Sequence, residues 1–219
     1  HKPLKTWLKQ PMLLIGGWWD PHLNGIIDIY KQSISAGGEP EIHIGPATHL
    51  EWWHESQDLQ LQFFNSYLKG IKTSNLKEIK RNLWNITRKR WIKDKGNKSQ
   101  KNMQWGLISN GAACFDEQEG KLIEKGLGSG WFELVHDPWR PIPSFGGHLS
   151  QSPGIVNRKN IDKRSDVATF TSFPCSKELY LEGVPSLELI AQSEQQGFDL
   201  CISLSIISED KSTVNQIST

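Results

Sequence analysis

The pattern of apolar and polar positions changes once along the chain, close to residue 74. Before that point, short continuous apolar runs typical of buried strands alternate with longer segments whose apolar residues recur at helical spacing. These patterns predict strands at residues 11–15 and 40–44, a helix at residues 23–35 that Gly37-Gly38 ends, and a helix capped by Asp58 that Gly70 ends. We therefore expect a β-α-β-α unit whose neighbouring strands are parallel and joined by a right-handed crossover.

After Gly70 the helical spacing disappears, and turn-forming clusters rich in Gly, Pro, Asn and Ser interrupt the chain at short intervals. Strand candidates lie between these clusters, at residues 83–86, 105–108, 131–135, 166–171, 178–182, 186–192 and 198–207. Many short strands separated by turns are typical of an all-β sandwich or jelly roll. The predicted fold class is α/β plus all-β, with domains at residues 1–74 and 75–219. Because only a polar tail follows residue 207, we expect the sandwich to be incomplete at its C-terminus.

Composition excludes several classes of function. The 219 residues carry a net charge of +1, so no overall field favours nucleic acid or an acidic membrane as a partner. No apolar run approaches the roughly 20 residues that a membrane-spanning helix needs. The three cysteines are widely spaced and form no Cys-x-x-Cys pair, which indicates neither a zinc site nor a disulfide framework. We expect a protein of a reducing compartment, the cytoplasm.

Two residues suited to acid–base chemistry follow the two predicted strands. Asp20 comes after the first strand through two glycines, and His49 comes after the second through a Gly-Pro pair. Side chains at the carboxyl ends of adjacent parallel strands can meet, since such strands lie about 4.8 Å apart. An aspartate placed there can accept a hydrogen bond from the Nδ1–H of a histidine, which can then take a proton from a serine. The order of acid and then base along the chain is the one that α/β-hydrolases use after their serine.

Each of these residues also has a simpler interpretation. Asp20 precedes Pro21 and the first helix, so its side chain could serve only as a helix cap. A histidine in a loop is most often merely solvated. Metal binding is a further alternative for the acidic and histidine residues near His49, namely His43, Glu51, His54 and Glu55, but no His-Glu-x-x-His segment occurs and their spacing is irregular. We therefore expect no metal site and no cofactor.

The chain has no Gly-x-Ser-x-Gly segment, so none of its serines has the sequence setting of a hydrolase nucleophile. Ser129 lies between two glycines, but their spacing is wrong and a flexible turn is the favoured interpretation. Two tryptophan pairs flank the candidate acid and base, Trp18-Trp19 and Trp52-Trp53. Large rigid rings in such positions commonly form the wall of an apolar substrate pocket, although packing in the core is the alternative.

Taken in order, these motifs resemble the C-terminal part of the X-prolyl dipeptidyl-peptidase and cocaine-esterase type of acyl hydrolase. The Gly-Trp-x-Asp motif of that family is matched by residues 17–20, and its Gly-Pro-Trp-x-His motif by residues 45–49, where Ala47 replaces the usual tryptophan. Later stretches that resemble the family lie at residues 137–147, 164–167 and 181–183. The resemblance covers most of the chain and implies a partial α/β-hydrolase unit followed by a jelly-roll domain.

The resemblance also implies a function. The intact protein would be a serine hydrolase acting on a small ester or peptide, with Asp20 orienting His49 as the base and with the serine upstream of these residues. This chain alone would then be inactive. Two alternatives stay open: a jelly-roll module in which exposed aromatics such as Trp131 and Trp139 bind carbohydrate, and a structural fragment with a vestigial site. A partial sheet with open edges also makes self-association into a homo-oligomer an expectation.

Overall fold

The computed structural model describes residues 5–71, 81–93 and 102–219. The first part of the described chain contains, in order, a 3₁₀ helix Trp7–Lys9, β1 Leu13–Trp19, α1 Leu23–Ser35, β2 Glu41–Thr48, α2 Ser56–Lys69, β3 Arg81–Asn85 and β4 Arg90–Lys93. The strands form one sheet in the order β1-β2-β3-β4, in which β1, β2 and β3 are parallel and β4 is antiparallel to β3. The order strand, helix, strand, helix that the sequence predicts is therefore present.

The core of this first part lies between the sheet and α1. Its buried side chains come from three neighbouring strands and are Leu14, Ile42, Ile44 and Leu83. They are covered by the apolar residues of α1, which are Leu23, Ile26, Ile27, Ile29 and Tyr30. Removing each such side chain from water contributes about 1.5–3 kcal/mol to folding. The packing holds β1 and β2 side by side, so the residues that follow them have fixed positions.

The ends of α2 differ in part from the prediction. Gly70 ends the helix as expected, in the left-handed conformation (φ 66°) that glycine adopts without steric cost. The prediction that Asp58 caps the helix is wrong, because α2 begins at Ser56 and Glu55 occupies the N-cap position. Asp58 lies in the first turn instead, where its negative charge interacts favourably with the helix dipole.

The second part is built from short strands: β5 Trp105–Gly111, β6 Lys121–Glu124, β7 Ser129–Phe132, β8 Val156–Asn157, β9 Thr171–Ser172, β10 Leu204–Ile207 and β11 Val214–Ser218. Two sheets are formed, in the orders β7-β5-β6-β9 and β10-β11-β8. Over the described residues the protein is thus mostly sheet with few helices, in agreement with a β-rich C-terminal part.

Several strand predictions in this part are wrong. Residues 178–182 and 186–192 form no strand, and the candidates at 166–171 and 198–207 contribute only their last residues. An apolar run gains little from an extended conformation unless a neighbouring strand pairs with it. The expected polar tail contains β11, in which Gln216 is fully buried and accepts a hydrogen bond from Arg158 (2.8 Å). Because a polar residue occupies a buried position of this strand, the strand has no alternation of apolar and polar residues from which it could be predicted.

The connection between the two parts runs partly through undescribed residues. The predicted boundary near Ser74 lies outside the described residues, so the division into domains stays a prediction. The strand expected at 83–86 within the β-rich part instead pairs with β2 in the first sheet. Ion pairs of Arg81 with Glu182 and of Arg88 with Glu178 join the β3–β4 hairpin to the later chain.

Among the described residues, no helix is both long and apolar enough to cross a membrane. The cytoplasmic location expected from the cysteines stays a prediction.

Candidate active site

Adjacent strand ends bring Asp20 and His49 together. β1 ends at Trp19 and β2 at Thr48, and these two residues are partners in the parallel register. The residues that follow them lie at the same edge of the sheet, with Asp20 Oδ1 3.4 Å from His49 Nδ1. This distance exceeds the usual N–H···O range of about 2.7–3.2 Å. Hydrogen bonds of catalytic groups are often long before substrate binds and shorten in the complex.

A β-bulge decides which residue of β2 faces Asp20. The register of β1 on β2 is regular over the first five residue pairs and then shifts by one residue. Without that shift Thr48 would lie opposite Asp20, whereas the extra residue in β2 places His49 there. Pro46 lies in the bulged stretch, and because it has no N–H it is tolerated where the ladder is interrupted.

The glycines before the acid and the base lie at other positions in the fold than the sequence predicts. They do not lead out of the strands but lie inside β1 and β2, and none has a positive φ. A Cβ on Gly17 would lie 2.4 Å from the carbonyl oxygen of Ala47, and one on Gly45 would lie 2.3 Å from the ring of Trp53. Close approach between neighbouring segments, and not an unusual backbone angle, therefore requires glycine at both positions.

Asp20 is held firmly at the start of α1. Its side chain is 8% exposed, and its Oδ1 accepts a hydrogen bond from the backbone N–H of His22 (2.9 Å). Its backbone carbonyl accepts a bond from the N–H of Leu23 (3.1 Å). Asp20 thus forms an Asx turn that leads into the helix, while the same carboxylate faces His49. The two interpretations of this residue, helix entry and acid partner, are compatible.

His49 is presented by a tight turn at the end of β2. The backbone N–H of Thr48 donates to the carbonyl of Glu51 (2.9 Å), and the Thr48 hydroxyl oxygen accepts from the N–H of Glu51 (3.0 Å). These bonds fix the backbone on both sides of His49, whose side chain is 57% exposed. The base candidate is therefore anchored through its backbone while its ring is open to an incoming partner.

The structure adds one residue that the sequence did not single out, His22. Its ring packs edge-on against that of His49, with centroids 5.0 Å apart. In the described part of the chain, Asp20, His22 and His49 form a group whose donor atoms lie within 4.8 Å of one another. Of the metal ligands considered from the sequence, only His49 belongs to this group. The Asp-Pro-His segment, which favours an Asx turn, is the signal that would have drawn attention to His22.

His43 takes no part in this site. It lies in the middle of β2, is buried, and is a register partner of Ile15 and Asn82. Neither ring nitrogen has a hydrogen-bond partner in the described structure. Burial lowers the pKa of His43 to about 4, because the charged imidazolium loses its hydration there. His43 is therefore a neutral side chain of the sheet interior at physiological pH.

The four tryptophans predicted as a pocket wall occupy different surroundings. Trp18 packs on the core beneath α1, and its indole N–H donates to the carbonyl of Trp84 (2.7 Å). Trp19 is buried, and Trp53 packs against Gly45 and edge-on against Trp91. Trp18 therefore has a packing role in the described chain, and participation of any of the four in a substrate pocket stays a prediction.

Trp52 lines a groove between β1 and α2. The groove has a volume of about 460 Å³, and its apolar walls come from Leu13, Ile15, Phe63 and Phe64. Neither Asp20 nor His49 lines it. The flexible turn expected at Ser129 is not observed, because Ser129 is the first residue of β7.

Two protein families match successive parts of the chain. A family described as the X-Pro dipeptidyl-peptidase C-terminal non-catalytic domain matches residues 69–219. A second, described as X-Pro dipeptidyl-peptidase (S15 family), matches residues 1–51, which include the paired Asp20 and His49. No curated protein matches the chain significantly. The first match spans well over half of the sequence and confirms the resemblance seen in its motifs, so the chain belongs to the X-Pro dipeptidyl-peptidase family.

Proposed function

We propose that this chain supplies the acid and the base of a Ser-His-Asp triad in a hydrolase that cleaves small esters or X-prolyl peptides. The observation that carries the proposal is the 3.4 Å approach of Asp20 Oδ1 to His49 Nδ1 at adjacent strand ends. It is supported by the match of this segment to a peptidase family. In this proposal β1, α1, β2 and α2 are part of an α/β-hydrolase domain.

In this proposal each residue has a step. Asp20 accepts a hydrogen bond from the Nδ1–H of His49, which leaves the Nε2 lone pair free to take a proton from a serine hydroxyl. Once His49 is charged, the carboxylate stabilises the imidazolium. The His22 backbone N–H keeps that carboxylate in place through its 2.9 Å bond. His49 then returns its proton to the leaving alcohol or amine.

The nucleophile is proposed to lie in polypeptide outside these 219 residues. None of the serines of the chain occurs in a Gly-x-Ser-x-Gly segment. A histidine and an aspartate alone supply no nucleophile for a covalent acyl intermediate. We therefore expect the chain by itself to be inactive. The sheets built from β5 to β11 are proposed to be the jelly-roll β-sandwich of the non-catalytic domain.

The test uses a longer polypeptide that includes the natural sequence preceding His1, assayed on an X-Pro p-nitroanilide and on a p-nitrophenyl ester. His49→Ala should lower kcat by at least about 10³-fold, since the triad base is lost. His54→Ala removes an exposed histidine a few residues away and serves as the matched control, with a rate close to that of the parent. Turnover that persists in the His49 variant would refute the assignment of the base, and the ratio of the two substrates would identify the preferred class.

A second candidate concerns the β-rich part alone. The side chain of Trp139 is 92% exposed, and exposed indole rings stack on sugars in jelly-roll lectins. A binding module of this kind predicts that an oligosaccharide quenches tryptophan fluorescence of the chain and that Trp139→Ala abolishes the quenching. Absence of any saturable change over a panel of oligosaccharides would exclude this function.

A further inference from the structure

We propose that Asp20, His22 and His49 form a binding site for a divalent zinc-type ion, and that the ion stops proton transfer at His49. The second half of this statement rests on the proposed function, whereas binding itself does not. The donor set of one carboxylate and two imidazoles is one that zinc commonly takes in proteins, with a water molecule completing four-coordination.

The spacing of the donors suits the ion. In a tetrahedral zinc site with bonds of about 2.0–2.1 Å, neighbouring ligand atoms lie roughly 3.3 Å apart. Asp20 Oδ1 and His49 Nδ1 already have this spacing, at 3.4 Å. The donor atom of His22 lies within 4.8 Å of both, so a ring rotation that moves this atom by up to about 1.5 Å completes the set.

The surroundings permit that rotation and favour binding. The side chains of His22 and His49 are exposed, so neither ring has to leave a packed interior to reach the ion. Asp20 is buried and is fixed by the His22 N–H, so the carboxylate is held in place before the ion arrives. Carboxylates that bind metal ions in proteins usually also accept a hydrogen bond from the protein, which holds them in position.

Occupation of the site changes the protonation of His49. The ion takes the lone pair of the nitrogen that faces Asp20, and the single ring proton of the neutral imidazole must then reside on Nε2. That nitrogen becomes a donor and can no longer accept a proton from a serine. The ion also replaces the Nδ1–H···Oδ1 contact with the carboxylate. An ion at this position therefore inhibits without touching the substrate.

Binding is tested on the 219-residue chain with Zn²⁺ alone, by isothermal titration after treatment with a chelator and its removal. The wild-type chain should bind one zinc ion. His22→Ala should weaken binding at least tenfold, since even loss of a group that only orients a ligand costs about 10- to 100-fold. His54→Ala should bind like wild type. Circular dichroism confirms that each variant is folded. A wild-type chain without saturable binding, or equal affinity in the His22 variant, would overturn the site.

Inhibition is tested on the longer polypeptide, with each rate expressed relative to the same variant in chelator. Zinc should inhibit the parent and the His54 variant reversibly, and should inhibit the His22→Ala variant only at concentrations at least tenfold higher. Full turnover at saturating zinc would overturn the inhibitory role. If the longer polypeptide shows no hydrolysis at all, the proposed function fails, and the titration on the shorter chain still decides the metal site.

Discussion

Replacement of Gly17 by alanine tests how the chain sets the distance between Asp20 and His49. Gly17 lies in β1 directly before the bulge that places His49 opposite Asp20. A Cβ at this position would lie 2.4 Å from the carbonyl oxygen of Ala47 and 2.7 Å from its carbonyl carbon. Both contacts are with backbone, so no flexible side chain can move aside. The two strands must separate by about 1 Å to restore an ordinary contact of 3.4 Å.

The cost follows from this displacement. Overpacking of a well-packed interior typically costs about 1–3 kcal/mol. For a chain of this length each kcal/mol corresponds to a change in Tm of about 2–4 °C, so we expect Gly17→Ala to lower Tm by roughly 2–12 °C. Because the separation occurs beside the bulge, it also lengthens the 3.4 Å contact between acid and base. The longer polypeptide with this change should therefore lose hydrolytic rate as well as stability.

Gly25→Ala is the matched control. Gly25 is exposed in the first turn of α1, and a Cβ built there meets no atom within 4 Å. Alanine stabilises a helix interior relative to glycine by about 0.5–1 kcal/mol, and the gain in the first turn is at most this large, so Tm should rise by up to about 4 °C. Thermal unfolding followed by circular dichroism measures both variants. An unchanged Tm in the Gly17 variant, or an equal loss in both variants, would refute the close-contact argument.

Two further predictions concern buried groups. His43 has its pKa lowered to about 4, so between pH 6.5 and 4 the unfolded chain binds a proton that the folded chain does not, and stability falls as pH falls. His43→Leu should recover up to about 3 kcal/mol of this lost free energy of unfolding at pH 4, as measured by urea unfolding. A variant whose stability depends on pH in the same way as that of the wild type would contradict the effect. The thiol of Cys114 is buried and donates to the Glu133 carbonyl (3.0 Å), and burial raises its pKa. Iodoacetamide should therefore label only the exposed Cys175 and Cys201 in the folded chain, and intact mass showing a third label before denaturation would contradict this burial.

Much of the first part could be predicted because its signals are local. The apolar spacing in α1 reflects one buried face, and its bounds of Leu23 and Ser35 agree with the sequence prediction. The approach of Asp20 to His49 could be predicted from strand order alone. The one-residue shift that places His49, and not Thr48, opposite Asp20 could not be predicted, because a bulge leaves no signal in the apolar periodicity.

The β-rich part was less predictable because its strands depend on distant partners. β11 is recognisable only from its pairing with β10 and β8 and from the hydrogen bond that Arg158, 58 residues away, donates to the buried Gln216. The apolar segment at residues 186–192 has the composition of a strand but no pairing partner in the described chain. The position of His22 beside His49 follows from the Asx turn at Asp20, which the apolar periodicity does not describe although the Asp-Pro-His segment favours it.

The most direct test of the account is the tautomer of His49 in the folded chain, read from its ring nitrogen shifts by ¹⁵N NMR at about pH 9, well above the reference histidine pKa of about 6.5. If Asp20 orients His49 as the base of a triad, the proton resides on Nδ1 and Nε2 is the free acceptor. Asp20→Ala should abolish this preference. A proton on Nε2 in the wild-type chain, or no change in the Asp20 variant, would contradict the assignment of this pair as acid and base.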